Sequence, residues 1–280
     1  MMRISALLLV AGVINSGALL AAEPCKFNDR QGEYEEDKAE QLTCLLRKTD
    51  GAAYIFKKQA IPQGLVSLVK KQRVDFSEGQ LKKYLANNNV NEKDIGGDIA
   101  TPLNKKTKYI VIHDTSTPVA LQNNEFPSDI NDEWSGNKLS AYGKSAENNA
   151  HVFINRPGQS KTSIDFSTFY RTTKFENEKI GRRYVFISVE LIQPRATLPT
   201  QSGIANDYRS PVPGFTDAQL ERLAIVYLAG SYRAGKYLLP AFHSVIDIPF
   251  KKGGHNDPLN FDLAKWSGLI DKVNNEISAQ

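Results

Sequence analysis

The sequence predicts an α/β fold with a mostly buried central β-sheet flanked by helices, and a helical N-terminal extension in front of it. Three runs of β-branched, apolar and aromatic residues, at 109–112, 150–155 and 184–192, are typical of buried strands. Two long segments with helical spacing of apolar residues follow these strands. Strands that are followed by helices indicate a sheet covered by helical layers.

The chain begins with a segment that is typical of a secretory signal peptide. Residues 1–22 contain Arg3, then an apolar run, then small residues, and we expect cleavage after Ala21 or Ala22. The alternative is an uncleaved membrane anchor, which the short run with its glycine and asparagine disfavours. No later stretch is apolar and long enough to cross a bilayer. The sequence therefore predicts export, to the periplasm or outside the cell, with no stable membrane span after cleavage.

The helical N-terminal extension is expected over residues 23–104. Ser77 with Gln80 three residues later forms a capping-box pattern at the start of one of its helices. We find no catalytic grouping in this extension. Apolar residues recur at helical spacing in three segments, 34–48, 63–72 and 77–88.

Cysteine content and net charge indicate the redox compartment of the protein and the class of its partners. Cys25 and Cys44 are the only cysteines, and in an oxidising compartment we expect a disulfide between them, with two free thiols as the alternative. Without the leader the chain has 34 basic and 31 acidic residues, a net charge of +3. This balance, without a dense Lys/Arg tract, gives no reason to expect a nucleic-acid partner, although it suits an anionic wall polymer.

Residues 105–280 form the second predicted region. The polar stretch 117–149 is expected to be a surface loop or a helix over a cleft. The clearest helix starts at an N-cap, Thr216, with Gln219 three residues later, and stops at Gly235. A last helix is expected over about 261–277.

All four histidines lie in this second region, each beside a predicted strand end or a loop: His113, His151, His243 and His255. Imidazoles combined with one carboxylate, such as Asp257 near the last histidine, are the ligands that a catalytic zinc ion needs. Neither H-E-x-x-H nor paired C-x-x-C is present. For each histidine taken singly, the alternative is a structural, hydrogen-bonded role.

Glu190 is a carboxylate inside an apolar strand, "VFISVELI". Ionisation at a buried position is costly unless the group is paired, coordinated or hydrogen-bonded. One interpretation is a buried ion pair with Arg182, Arg183 or Arg195. The other is a general base whose pKa is raised toward neutrality.

Four motifs in order carry a family resemblance: "YIVIHDTS", "AHVFINRPG", "VFISVELIQP" and "FHSVID…GGHNDPLNFDLAKW". Together they resemble the zinc-dependent N-acetylmuramoyl-L-alanine amidases of type 2. This family includes bacterial muropeptide amidases, phage T7 lysozyme and animal peptidoglycan recognition proteins. The resemblance covers about residues 105–270 and implies a type 2 amidase-like catalytic domain over 105–280.

The resemblance implies roles for individual residues. His113, His243 and Asp257 would hold Zn²⁺, and Glu190 would assist the attacking water. His255 stands where many members carry a lysine that stabilises the developing oxyanion. The family's "DPG" turn is "DPL" here, and the gap from His243 to Asp257 is longer than in the family. Because a histidine stands in the lysine position, His255 is also an alternative third ligand.

The resemblance also implies the reaction and the substrate, peptidoglycan or muropeptides. The expected activity is hydrolysis of the amide between N-acetylmuramic acid and L-alanine of the stem peptide. Asp114, His151 and Arg156 border the expected cleft and are candidate substrate contacts, with a plain packing role as the alternative for His151. The alternative function is a non-catalytic peptidoglycan-binding protein of the same fold. The sequence leaves the oligomeric state open.

Overall fold

The computed structural model describes five segments of the chain: residues 23–50, 55–145, 149–196, 209–250 and 256–280. The predicted signal peptide, residues 1–22, lies outside them, and so does His255. No helix of the described segments combines the length and apolar character that a bilayer span requires.

The N-terminal region contains the three expected helices together with short strands that we did not predict. Two antiparallel hairpins, β1–β2 and β3–β4, accompany the helices. These strands have only two or three residues, too few for a periodic pattern to show in the sequence. The elements are β1 (Phe27–Asn28), β2 (Glu33–Tyr34), α1 (Lys38–Leu45), β3 (Lys48–Asp50), β4 (Ile55–Lys57), α2 (Gln63–Lys70) and α3 (Glu78–Asn87).

Local signals in this region are confirmed by the structure. Ser77 caps α3, accepting from the backbone N–H of Gln80, whose side chain accepts from the N–H of Ser77 in return. Cys25 and Cys44 form a disulfide, with their Cα atoms 6.0 Å apart. The bridge ties the start of the described chain to α1.

The second region is built around a five-stranded sheet of order β11-β5-β9-β7-β8. The first four of these strands run parallel, and β8 pairs antiparallel with β7. Its strands and the neighbouring short pair are β5 (Tyr109–Asp114), β6 (Thr117–Val119), β7 (Val152–Ile154), β8 (Ser160–Thr162), β9 (Phe186–Leu191), β10 (Pro194–Ala196) and β11 (Leu239–Phe242). Its helices are α4 (Lys174–Asn177), α5 (Asp217–Ala234), α6 (His243–Ile246) and α7 (Leu263–Ser278).

The sheet confirms the predicted α/β class, and it contains strands that the sequence did not reveal. All six residues of β5 are buried, as expected of a strand with parallel neighbours on both sides. We did not predict β11, because Pro240 lies inside it. The structure explains this exception: β11 is an edge strand, where the missing N–H of a proline is tolerated.

The two predicted helices of this region and the polar stretch 117–149 can be compared with the structure. α5 has the predicted Thr216–Gln219 capping box and ends at Gly235 in the left-handed conformation, with φ 71°. α7 closes the chain near the predicted position. The polar stretch 117–149 begins with β6, and its later part contains 3-10 turns at Ser135–Asn137 and Leu139–Ala141.

Both predicted regions contribute to one hydrophobic core. Leu42 and Leu81 of the N-terminal region are fully buried in the same cluster as Val111 of β5 and Trp266 of α7. The boundary between residues 104 and 105 stays a prediction. What the structure adds is that the N-terminal helices share the core of the sheet.

Candidate metal centre

Strand register places two of the candidate residues side by side at one edge of the sheet. His113 of β5 is directly opposite Glu190 of β9, and Glu190 is opposite Phe153 of β7. Paired positions on neighbouring strands point to the same face. Because these strands are parallel, their carboxyl ends lie together, which is where ligands bind in open α/β sheets.

His243 reaches the same place from the other side of β5. Phe242, the last residue of β11, pairs with Ile112, so His243 follows in the row that contains His113. The two imidazole rings have their centroids 4.1 Å apart. His243 thus comes directly after an unpredicted strand, at the start of α6.

Asp257 is brought to the two histidines by a loop that is tied to both strand ends. Its backbone carbonyl accepts from the N–H of Ser244, at 3.0 Å. Its Oδ2 accepts from the N–H of Asp114, at 3.2 Å. These bonds hold the carboxylate beside the two strand ends. One of its partners, Asp114, lies 143 positions earlier in the chain.

The three side chains form a donor set that fits a metal ion. Asp257 Oδ2 lies 3.1 Å from Nδ1 of His243 and 3.6 Å from Nδ1 of His113. Ligands of one tetrahedral zinc ion, with bonds near 2.0–2.1 Å, are separated by about 3.3 Å. One ligand atom from each residue lies within 4.8 Å of the others, and all three residues are buried. The described part of the chain therefore contains a buried His-His-Asp group that can hold a metal ion.

Asp247 lies within hydrogen-bond distance of His243, and it was not identified from the sequence. Its Oδ2 is 3.1 Å from Nε2 of His243, so Nδ1 is the nitrogen that faces Asp257. Burial works against the charged imidazolium, but the carboxylates of Asp257 and Asp247 outweigh it and raise the pKa of His243 to about 10. Protons therefore compete with a metal ion for this residue. The i, i+4 spacing in "HSVID" was the signal that could have revealed Asp247.

Glu190 lies next to the donor set without an arginine partner among the described residues. Its Oε1 is 3.8 Å from Nδ1 of His113, and its buried Oε2 accepts no hydrogen bond within the described segments. Burial, and then the negative charge of Asp257, raise the pKa of Glu190 well above its ordinary value. The side chain remains 19% exposed, so water can reach it.

The three arginines proposed as ion-pair partners of Glu190 are engaged elsewhere. Arg182 pairs with Asp29, and Arg183 lies over the ring of Phe169. Arg195 pairs with Asp114. The buried-ion-pair interpretation of Glu190 therefore finds no support in the described residues.

Asp114, a predicted substrate contact, is hydrogen-bonded to groups inside the protein. Its Oδ2 accepts from Arg195, at 2.5 Å, with both side chains fully buried. The same oxygen accepts from the N–H of Leu259, at 3.1 Å. Asp114 thus connects the end of β5 to the loop that carries Asp257, and its contact with substrate stays a prediction.

Arg156 is likewise directed into the protein. Its Nε donates to Asn131 and its Nη1 donates to the carbonyl of Gly214. Only 3% of the residue is exposed, and burial lowers its pKa to about 10. These bonds connect the turn after β7 to the segment before α5, and the predicted substrate contact of Arg156 stays a prediction.

His151 is a buried, neutral histidine. Its Nδ1 accepts from the backbone N–H of Ser188, at 3.2 Å, and its Nε2 is 3.2 Å from the carbonyl of Thr168. Burial lowers its pKa to about 4. This arrangement agrees with the packing alternative for His151.

His255 belongs to residues 251–255, outside the described segments, so its predicted role and its alternative as third ligand stay predictions.

Comparisons of the chain with protein-family models, curated proteins and solved structures gave no match. The His113, His243 and Asp257 group is therefore the feature of the described residues that bears most directly on function.

Proposed function

We propose that this protein is a zinc-dependent N-acetylmuramoyl-L-alanine amidase. The observation that carries the proposal is the convergence of His113, His243 and Asp257 beside the partly buried carboxyl of Glu190. The order of the four motifs that resemble type 2 amidases supports it independently. The proposal includes the type 2 amidase fold for the second region.

The donor set suits a catalytic zinc ion, which takes three protein ligands from residues such as His and Asp and keeps a fourth position open for water. Zinc bound there would polarise a water molecule and the scissile carbonyl. The remaining chemistry belongs to the side chains. His113, His243 and Asp257, all buried, would provide the ligands.

Glu190 is the proposed general base. Its position beside His113 and its partial exposure allow it to accept a proton from the attacking water. The oxygen of that water adds to the carbonyl carbon, the C–N bond breaks, and Glu190 returns the proton to the leaving amine of L-alanine. Burial raises the pKa of Glu190, as is common for catalytic acid–base groups.

The substrate class, peptidoglycan or its muropeptide fragments, comes from the motif resemblance and agrees with the predicted export. The disulfide between Cys25 and Cys44 is compatible with an oxidising compartment outside the cytosol. His255 is proposed to stabilise the developing oxyanion, by its position in the motif.

Product analysis tests the proposal. The purified protein should contain about one zinc ion per chain, and mass spectrometry should find free stem peptides released from defined muropeptides. The Glu190→Ala variant should keep its zinc and lose the release by at least about 100-fold, since a general base contributes about that much. Glu133→Ala, at an exposed position, is the matched control and should behave as the unmodified protein.

Two results would count against the proposal. Unchanged release by Glu190→Ala would remove Glu190 from the mechanism. Co-sedimentation of the protein with intact sacculi, without release of stem peptides, would favour the non-catalytic wall-binding alternative.

A further inference from the structure

The carboxylate of Asp247 connects the candidate metal centre to a short helix of the second region. Its Oδ2 faces Nε2 of His243, and the side chain is fully buried. The backbone N–H of Lys174 donates to Oδ2 and that of Phe175 donates to Oδ1, each at 3.1 Å. Asp247 is thus held by the first turn of α4 on one side and holds an imidazole on the other.

α4 is itself held by its own cap and by Arg182. Thr173 and Glu176 form a capping box at its start. The guanidinium of Arg182 lies 3.7 Å from the ring centroid of Phe175, and its Nη1 donates to the Phe175 carbonyl at 2.8 Å. Arg182 therefore contacts both the ring and the carbonyl of Phe175, whose backbone N–H donates to Asp247.

Arg182 is in turn anchored by the N-terminal region. Its Nε and Nη2 donate to the two carboxylate oxygens of Asp29, at 2.7 and 3.3 Å. Phe27, two residues earlier, packs edge-to-face against Phe175, with ring centroids 5.1 Å apart. A continuous set of contacts thus runs from the first hairpin, through Arg182 and α4, to His243.

We propose that Asp247 is the positioning residue for His243, and that the N-terminal region supports the metal centre through the Asp29–Arg182 pair. A histidine that donates from one ring nitrogen to a carboxylate is fixed in orientation and tautomer, and its other nitrogen binds metal more tightly. The N-terminal region, which contributes no ligand to the described donor set, therefore has a part in metal binding. This inference rests on the proposed metal centre.

Metal affinity, measured apart from activity, tests the inference. Zinc dissociation constants come from competition with a chromophoric chelator, and Co²⁺ absorption spectra report the ligand field. Asp247→Ala should weaken zinc binding about 10- to 100-fold. The isosteric Asp247→Asn should weaken it less and should alter the Co²⁺ spectrum. Circular dichroism of the metal-free variants shows whether they are folded.

The remote pair has a matched control in the same chain. Asp29→Asn should weaken zinc binding about three- to tenfold, because it loosens the support of α4. Asp165 also pairs with a buried arginine, Arg233, and has a similar exposure, 35% against 30% for Asp29. Asp165→Asn should therefore leave zinc affinity unchanged.

Three outcomes would overturn the inference. If His113→Ala loses zinc while both Asp247 variants bind it normally, Asp247 does not position His243, although the proposed function stands. If Asp29→Asn and Asp165→Asn weaken zinc binding equally or not at all, the N-terminal region gives no specific support. If the unmodified protein binds no zinc, the inference and the proposed metal centre both fail.

Discussion

The carboxyl of Glu190 sits where an ionised group is unfavourable, between apolar neighbours and close to Asp257. The chain retains it although a neutral residue would be less costly at this position. Proteins commonly give up stability in this way at sites of function. The substitution Glu190→Gln allows the cost of this carboxyl to stability to be measured apart from its role in function.

Glu190→Gln should stabilise the metal-free protein at pH 7 by about 1–2 kcal/mol. The pKa of Glu190 is raised on folding, so its ionisation costs stability as pH rises above the unfolded value, near 4.3. The gain should therefore be present at pH 7 and vanish near pH 4. Urea unfolding at both pH values, after chelation of metal, measures it. A gain of equal size at both pH values would contradict this account of Glu190.

His151 gives the stability of the protein a pH dependence opposite in direction to that of Glu190. Its folded pKa of about 4 lies below its unfolded value near 6.5, so the unfolded chain binds the proton first. The stability that neutral His151 contributes is fully present above pH 6.5 and falls as pH decreases toward 4. The difference in unfolding free energy between the unmodified protein and His151→Gln should shrink by about 3 kcal/mol over that range. A constant difference would show that His151 is not buried neutral.

Single residues were predictable from the sequence to different degrees. Glu190 was noticeable because its neighbours are apolar, and His113 because it ends an apolar run. Asp114 and Arg156 stay predicted substrate contacts, and both have hydrogen-bond partners inside the protein. A polar residue beside a strand end looks the same in a sequence whether it faces a ligand or a buried partner, so the partner decides its role.

Among the elements, helices with caps were the most predictable. Thr216, Gln219 and Gly235 defined α5 because each meets a local requirement of the helix ends. Strand β11 and the short hairpins of the N-terminal region were not predicted. Their pairing partners are distant in the chain or their length is two to four residues, so local pattern carries little information on them.

Thr216 allows the capping contribution to be measured. Thr216→Ala should destabilise the protein by about 1 kcal/mol, because the N–H of Gln219 loses its acceptor. Thr216→Ser keeps the hydroxyl and should restore most of the stability. Thermal unfolding of the two variants compares them. Equal loss in both would assign the effect to the methyl group and its packing.

At the scale of the whole molecule, the fold brings together residues that the chain separates widely. Asp114 and Asp257, for example, are linked by a hydrogen bond across 143 positions. The motif order predicted that His113, His243 and Asp257 belong together, whereas register and loop contacts determine how they meet. The shared core adds that the N-terminal region is packed against the same sheet, which no motif indicated.

The central claim is that His113, His243 and Asp257 hold one zinc ion. A crystal of the protein grown with zinc, with data collected on both sides of the zinc absorption edge, tests this most directly. We predict one strong anomalous peak among Nδ1 of His113, Nδ1 of His243 and a carboxylate oxygen of Asp257. An anomalous map without a peak there, or with the only peaks at surface residues, would contradict the claim.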